Sequence, residues 1–375
     1  MQKKFEGASV NELSGQVFKY IKIANILRNE IIKKNYLFGD KLPSEKSLCD
    51  EYSVSRETVR KAFSVLQSGN YVKPIKGSGT YVTYNKNEED AEKSSMTIGV
   101  ISTYFDDYIF PPIIRGMNRI LSENGYSLQL FTTDNIIEKE TIALNKLHSL
   151  NIDGIIAEPT KSGFINPNIY LYKKFIDEKI PVIFFNSYYP ELREIPYVSL
   201  DDREAGKLAT NILFKNNHRN IVSIMKRDDL QGQLRYKGFL DVLFENNIDI
   251  NIDKHIWYTT EDLRNIENIF EKELMRFIGD ATAIFCYNDL IAYKAIDFLL
   301  SAGIRVPEDI SIISVDNLSF AKYHHFPIAS INHPKSLLGQ KVAENILEMI
   351  RKKTVGSDFL FPAEFVSGRT IRFNK

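Results

Sequence analysis

Cysteine is nearly absent from this 375-residue chain, with only Cys49 and Cys286. Both lie in apolar contexts, neither belongs to a CxxC, and no histidine pair has zinc spacing, so neither a disulfide framework nor a structural metal is expected. No apolar run approaches the roughly eighteen residues a membrane span needs, and MQKKFEGASVNEL lacks the apolar stretch of a secretion signal. The expectation is a soluble, cytoplasmic protein. Also missing are GxSxG, HExxH and GxxxxGK[ST], and the glycines of GSGTYV do not run on into a GxGxxG helix start. No catalytic residue, metal or cofactor is therefore assigned, and no enzyme is expected. A solute-uptake protein would need the missing signal and would have no use for the basic N-terminal region described next.

Overall charge excludes nothing, since 48 Lys and Arg balance 48 Asp and Glu. Its distribution is informative. Residues 1–84 hold 14 basic against 8 acidic side chains, and the remaining 291 hold 34 against 40. A positive head on a negative body is the asymmetry expected when one end meets nucleic acid.

Within that head, residues 42–82 read LPSEKSLCDEYSVSRETVRKAFSVLQSGNYVKPIKGSGTYV. Ser55 suits a helix N-cap, and Val59, Ala62, Phe63 and Leu66 follow at helical spacing, which buries one face. The other face carries Arg56 and Arg60 four residues apart, with Glu57, Thr58, Ser64 and Gln67 nearby. A shorter helix starts at Pro43-Ser44-Glu45, and Ser53-Val54 makes the turn between the two, as in a helix-turn-helix. Two β-prone runs, 71–75 and 80–83, flank Lys76-Gly77-Ser78-Gly79, a loop whose glycines let backbone N–H groups approach a phosphate or a groove edge. A further helix over 17–34 presents Tyr20, Ala24, Leu27 and Ile31 to this unit. The whole reads as a winged helix-turn-helix, domain 1–84, followed by a charged linker, 85–95, without a large apolar side chain.

LPSE, VSRxTVRKA and GSGTYV, in this order and spacing, resemble the GntR family of bacterial DNA-binding domains. The resemblance places Glu45, Arg56, Thr58, Arg60, Lys76 and Gly77 at DNA-contacting positions, and Glu57 joins them on the same helix. Lys46 stands where the family usually has arginine. A lysine neutralises a phosphate but cannot fork onto a guanine, so it is assigned to positioning.

From residue 96 the pattern changes to short apolar strands alternating with amphipathic helices. Strands are expected at 97–101, 127–131, 154–157 and 182–185, then in a second series at 198–200, 221–225, 256–258, 283–286 and 310–314. Helices fall between them. Such alternation predicts two doubly wound parallel sheets, hence a bilobed α/β domain over 96–375 with its ligand at the carboxyl ends of the strands. Aromatic and fork-like polar side chains collect at those ends, among them Tyr104, Tyr108, Glu158, Asn186, Gln231, Arg235, Asn288, Asp316 and His333. Rings that cover C–H faces beside amides, carboxylates and a guanidinium that bind neighbouring hydroxyls suit a sugar. Taken singly, Asn288 also suits a helix cap and Asp316-Asn317 a turn.

CYNDLIAYKAIDFL, GIRVPEDISIISVDN and SINHP resemble the LacI-type, periplasmic-sugar-binding-like effector domain. The segments STYFDDYIFPPIIRG, IDGIIAEPTKS, DDLQG and HPKSLLG are similar to those of members that respond to arabinose. That similarity implies L-arabinose or a related monosaccharide as effector, and a sugar-facing role for the nine residues just named. Where the family has two aspartates this chain has Asp316-Asn317. The resemblance further implies a homodimeric repressor on double-stranded operator DNA, released by the sugar. Another pentose, a sugar phosphate and activation by the liganded form are left open.

Overall fold

The computed structural model describes residues 16–32, 35–69, 71–84, 94–318 and 327–375. It divides into two units, Met1–Lys93 and Ser94–Lys375. The linker expected at 85–95 lies outside the described residues except for Ser94 and Ser95. Both serines hydrogen-bond to the Asp153 carboxylate, and the Ser95 and Met96 amides donate to it at 2.9 Å each.

In the first unit, helix Gln16–Ile32 buries Ile23, Ala24, Leu27 and Ile31 against helix Arg56–Ser68, whose Val59, Ala62 and Leu66 close the same small core. Helix Glu45–Tyr52 adds Leu48 and begins at Ser44, whose hydroxyl accepts the Ser47 amide. Ser53 then turns the chain in the left-handed region, φ 49°, which ends that helix and starts the next three residues on. Strands β1 (Val72–Ile75) and β2 (Gly79–Val82) pair antiparallel into the wing. Gly77 at its tip has φ 77°, a conformation that strains an L side chain.

The second unit holds two six-stranded sheets. Lobe 1 contains β3 (Thr97–Ser102), β4 (Ser127–Thr132), β5 (Gly154–Ala157), β6 (Val182–Phe185), β7 (Tyr197–Leu200) and β13 (Phe359–Phe361), in the order β13-β7-β6-β5-β3-β4 and parallel throughout. Lobe 2 contains β8 (Ile221–Lys226), β9 (His255–Tyr258), β10 (Ala283–Cys286), β11 (Ser311–Asp316), β12 (Ala329–Asn332) and β14 (Glu364–Val366), ordered β14-β12-β11-β10-β8-β9. Its edge strand β14 runs antiparallel to β12, an exception to the all-parallel expectation.

Three further features depart from the sequence reading. Strand β7, placed at the head of the second series, belongs to the first sheet beside β6. The helix expected between the strands at 256–258 and 283–286 is broken into a 3-10 turn Glu261–Asn265, α-turns Ile266–Ile269 and Met275–Ile278, and a π-turn Phe270–Leu274 between them. Helix Lys335–Lys352, which the strand count left unassigned, follows a strand of lobe 2 yet packs Leu338, Val342 and Ile346 against Ile98, Ile113 and Met117 of lobe 1. The chain thus passes between lobes after β7, after β12 and between β13 and β14.

Helices Asp202–Lys215 and Leu230–Glu245 cross closely in lobe 2. A Cβ on Gly206 would stand 2.0 Å from the Arg235 carbonyl oxygen, and one on Gly238 equally near that of Arg203. This backbone contact fixes where Arg235 enters the space between the lobes.

Candidate functional site

The recognition helix begins at Ser55, whose hydroxyl accepts the Thr58 amide at 3.3 Å and contacts the Thr58 hydroxyl at 2.9 Å. Thr58 is thereby tied to the cap. Arg56, Glu57 and Arg60 are exposed, as are Lys46, Lys76 and Gly77. Glu45, expected as a DNA contact, accepts from Arg60 Nε on both oxygens at 3.1 Å. The pair uses Nε, so the terminal guanidinium nitrogens remain available to an acceptor. Glu57 pairs with Lys61 one turn on, at 3.0 Å. Every candidate of this unit lies on the two helices of the helix-turn-helix or on the wing tip, the elements that reach a groove in this fold.

The cleft of the second unit is built from strand ends. After β3, Tyr104 packs edge-on against Phe110, and burial pushes its hydroxyl up to about 12. Tyr108 donates across the cleft to Asp316 at the end of β11. After β5, Glu158 accepts from the Thr103 amide at 2.9 Å, from the Thr103 hydroxyl, and from Asn186 Nδ2 at 2.8 Å. Among the described residues no cation pairs with it, and burial raises its carboxyl to about 7. Asn186, after β6, is held at φ 60°.

From lobe 2, Arg235 donates to Asp202 at 2.8 Å and to the Tyr287 carbonyl at 2.6 Å, lies 4.8 Å from the Tyr287 ring centroid, and stands 3.7 Å from Asp316. This buried cation between two carboxylates is the electrostatic centre of the cleft. His333, after β12, is buried, and desolvation, with the nearby charges of Lys335 and Arg235 adding to it, holds its imidazole well below its ordinary pKa. Asn288 caps helix Asp289–Ser301 by accepting the Ile291 amide at 3.0 Å, which leaves its amide nitrogen for a ligand. Gln231, with Asn186, Ser187, Tyr197 and Asp202, lines a cavity of 170 Å³. That is below the roughly 300–1,000 Å³ of drug-sized sites.

Among the described residues, four buried side-chain polar atoms have no hydrogen-bond partner, and two belong to the candidate set: Asn186 Oδ1 on lobe 1 and His333 Nδ1 on lobe 2. A buried polar atom without a partner costs about 1–3 kcal/mol, so such atoms call for a ligand or another specific reason.

Several neighbours were missed as site residues. Lys226 donates to Asp229 at 2.7 Å, Tyr287 contacts Asp229 at 3.2 Å, and Lys335 donates to the main-chain oxygens of Asp316 and Asn317. Asp289 anchors the β11 and β12 ends by accepting from Ser314, Ser330 and the Leu318 amide. Position at a strand end was the available signal for Lys226, Asp229 and Asp289, whereas Lys335 opens a helix that the strand pattern did not reveal.

The model of bacterial regulatory proteins of the gntR family matches residues 19–82, and that of periplasmic binding proteins and the sugar binding domain of the LacI family matches residues 95–368. This chain belongs to the LacI-type sugar-binding family and carries a GntR-type head. An arabinose metabolism transcriptional repressor of Halalkalibacterium halodurans is 37% identical to it over 341 residues, covering 89% of this chain and 90% of that one. Its counterpart from Geobacillus stearothermophilus is 32% identical over 352 residues, covering 93% and 96%. Among solved structures, the transcription regulator CcpA of Lactococcus lactis matches with a TM-score of 0.65 at 24% identity, over 75% of this chain and 100% of that one. A LacI regulator of Alkaliphilus metalliredigens complexed with D-xylulofuranose gives 0.62 at 24%, over 73% and 98%. These structural likenesses speak for the fold alone. With repressors as relatives over nearly its whole length, this LacI-type, GntR-headed chain is a sugar-responsive transcriptional repressor that binds operator DNA, and it is not an enzyme. No helix among its described residues is long and apolar enough to cross a membrane.

Proposed function

We propose that the effector is L-arabinose, bound between the lobes by Tyr104, Tyr108, Glu158, Asn186, Gln231, Arg235, Asn288, Asp316 and His333, and that it releases a cytoplasmic homodimer from its operator. The observation that carries the sugar site is the pair of buried, unpartnered atoms Asn186 Oδ1 and His333 Nδ1, one on each lobe. A polyol supplies hydroxyls to both at once and so favours the lobes together. Arabinose is preferred because both relatives quoted are arabinose metabolism repressors.

A neutral sugar fits better than a sugar phosphate. The basic groups are already engaged: Lys226 with Asp229, Arg235 with Asp202, and Lys335 with main-chain oxygens. A phosphate needs cations that are not so matched. On DNA, two heads of a dimer would lay their recognition helices in successive major grooves, with Arg56, Thr58 and Arg60 toward base edges and Lys46, Lys76 and the Gly77 backbone on phosphates. Sugar binding would antagonise this with a coupling of about 1–3 kcal/mol.

A thermal-shift titration of the full chain with L-arabinose, D-xylose, D-ribose, D-galactose and D-glucose tests the assignment. Selective, concentration-dependent stabilisation by L-arabinose is expected, followed by its release of operator DNA in a mobility-shift assay. A response to another sugar alone would overturn arabinose and keep the cleft.

A further inference from the structure

Away from the nine candidate sugar contacts, a second group of polar residues joins the lobes. Lys161, three residues beyond Glu158 on lobe 1, donates to Asp228 on lobe 2 at 2.6 Å and to both oxygens of Glu261 at 2.7 and 2.8 Å. The Lys161 side chain is 11% exposed and that of Asp228 0%. Asn135, at the end of β4, accepts the Lys161 amide at 2.7 Å and donates across to Thr260 at 2.7 Å and Asp229 at 3.1 Å. Asp228 is oriented by its own lobe, accepting the Thr260 amide at 3.0 Å and the Thr260 hydroxyl at 2.7 Å. The main chains also touch: the Gly163 amide donates to the Asp228 carbonyl at 3.0 Å, and the Leu230 amide donates to Ser162 Oγ at 3.0 Å. A Cβ on Gly163 would meet Arg227 O at 2.3 Å, Gln233 Nε2 at 2.8 Å and the Asp228 carbonyl carbon at 2.9 Å, all on the opposite lobe.

We infer that residues 161–163 and 228–230 form a latch that holds the lobes together around the ligand, with Lys161, Asn135, Gly163 and Asp228 as positioning residues for effector binding. Each side of the latch continues directly into ligand-bearing chain, Glu158 on one side and Gln231 and Arg235 on the other. Engaging it sets the distance between the two walls of the site. The Lys161–Asp228 pair of the latch is charged and nearly dry, whereas Glu261 caps it from the solvent side. Such a pair is a poor source of stability but is costly to leave half-made, which suits a contact that is either fully formed or fully open. Gly163 makes it geometric as well, because any side chain there separates the lobes while leaving each intact. The effector role rests on the reading of the cleft as the sugar site; the joining of the lobes does not.

The test uses the full chain with Cys49→Ser and one spin label on each lobe, at Lys146→Cys and Lys272→Cys, both exposed. Without any sugar, Gly163→Val and Lys161→Met should lengthen the distance between labels in pulsed electron resonance, and Lys161→Arg should restore it. With L-arabinose, both variants should raise the dissociation rate about tenfold. Combining Lys161→Met with Asp228→Asn should add little to either single change. Unchanged label distances, or equal dissociation rates from a wild type that binds the sugar, overturn the latch. If the wild type binds no L-arabinose, the arabinose assignment fails, and the sugar-free distances still decide whether these residues join the lobes.

Discussion

The two functional regions hold their charges in opposite ways. In the head, Arg60 and Glu45 keep side-chain exposures of 69% and 36%; in the body, Arg235 and Asp202 keep 3% and 2%. The head meets a polyanion whose phosphates and base edges replace water, so its cations stay solvated and loosely held until DNA arrives. The body's charges lie instead in a desolvated cleft. Its charges must be neutralised by one another before the ligand enters, or the cleft could not form. The head's charged groups are therefore almost independent of its core, whereas the buried charges of the body are also structural groups.

The largest effect expected from this contrast is at Arg235. Arg235→Met leaves Asp202 buried without its cation and Asp316 with Lys335 alone, and denaturant melts of the full chain should show the body destabilised by about 3–5 kcal/mol. A change below about 1 kcal/mol would mean that the buried charges are as loosely coupled as those of the head.

Next comes Glu158, whose carboxyl is raised to about 7 from its ordinary 4.5. Between those values the unfolded chain ionises this group while the folded chain keeps its proton. Its contribution to stability is therefore fully present below about pH 4.5 and is lost as pH rises through about 7, by about 3 kcal/mol in all. Asp202 and Asp289, each raised to about 6 by burial, act in the same direction. Glu158→Gln should flatten the fall of stability between pH 5 and 7 in melts across that range. An unchanged slope would show that another group carries it.

The smallest stability effect should be at Arg60. Arg60→Ala should alter the melt by less than about 1 kcal/mol. On an operator selected from random duplexes, it should weaken binding and reduce the slope of log K against log salt by about 1 if Arg60 meets a phosphate, or relax preference at one base pair if it meets a base edge. A large loss of stability without change in DNA binding would erase the contrast between the regions.

The head was legible from local pattern. Arg56 and Arg60 share a face because of the 3.6-residue period, and Ser55 caps because of its chemistry and position, so neither conclusion needs a distant residue. In the body the strand ends were legible for the same reason, since each apolar run stops where polar residues begin. What escaped were partners. Nothing near Tyr108 announces Asp316, 208 residues away, and nothing near Lys161 announces Asp228 or Glu261. Strand β7 was counted with the second sheet because no helix separates it from β6 and one follows it, so that it reads as the start of a new strand–helix series. Its membership is decided by pairing with β6, a non-local hydrogen-bond choice.

By itself, the sequence determined a winged helix-turn-helix with its basic face, an alternating α/β body, and the residues that gather at the ends of its strands. These follow from periodicity, capping and turn chemistry, all of which act within a few residues. Only the tertiary structure decided which sheet β7 joins, that helix Lys335–Lys352 returns to lobe 1, that Arg235 lies between two carboxylates, and that residues 161–163 close on residues 228–230. Those outcomes depend on long-range strand pairing, apolar packing and buried charges that find distant partners, conditions that no local window of sequence contains.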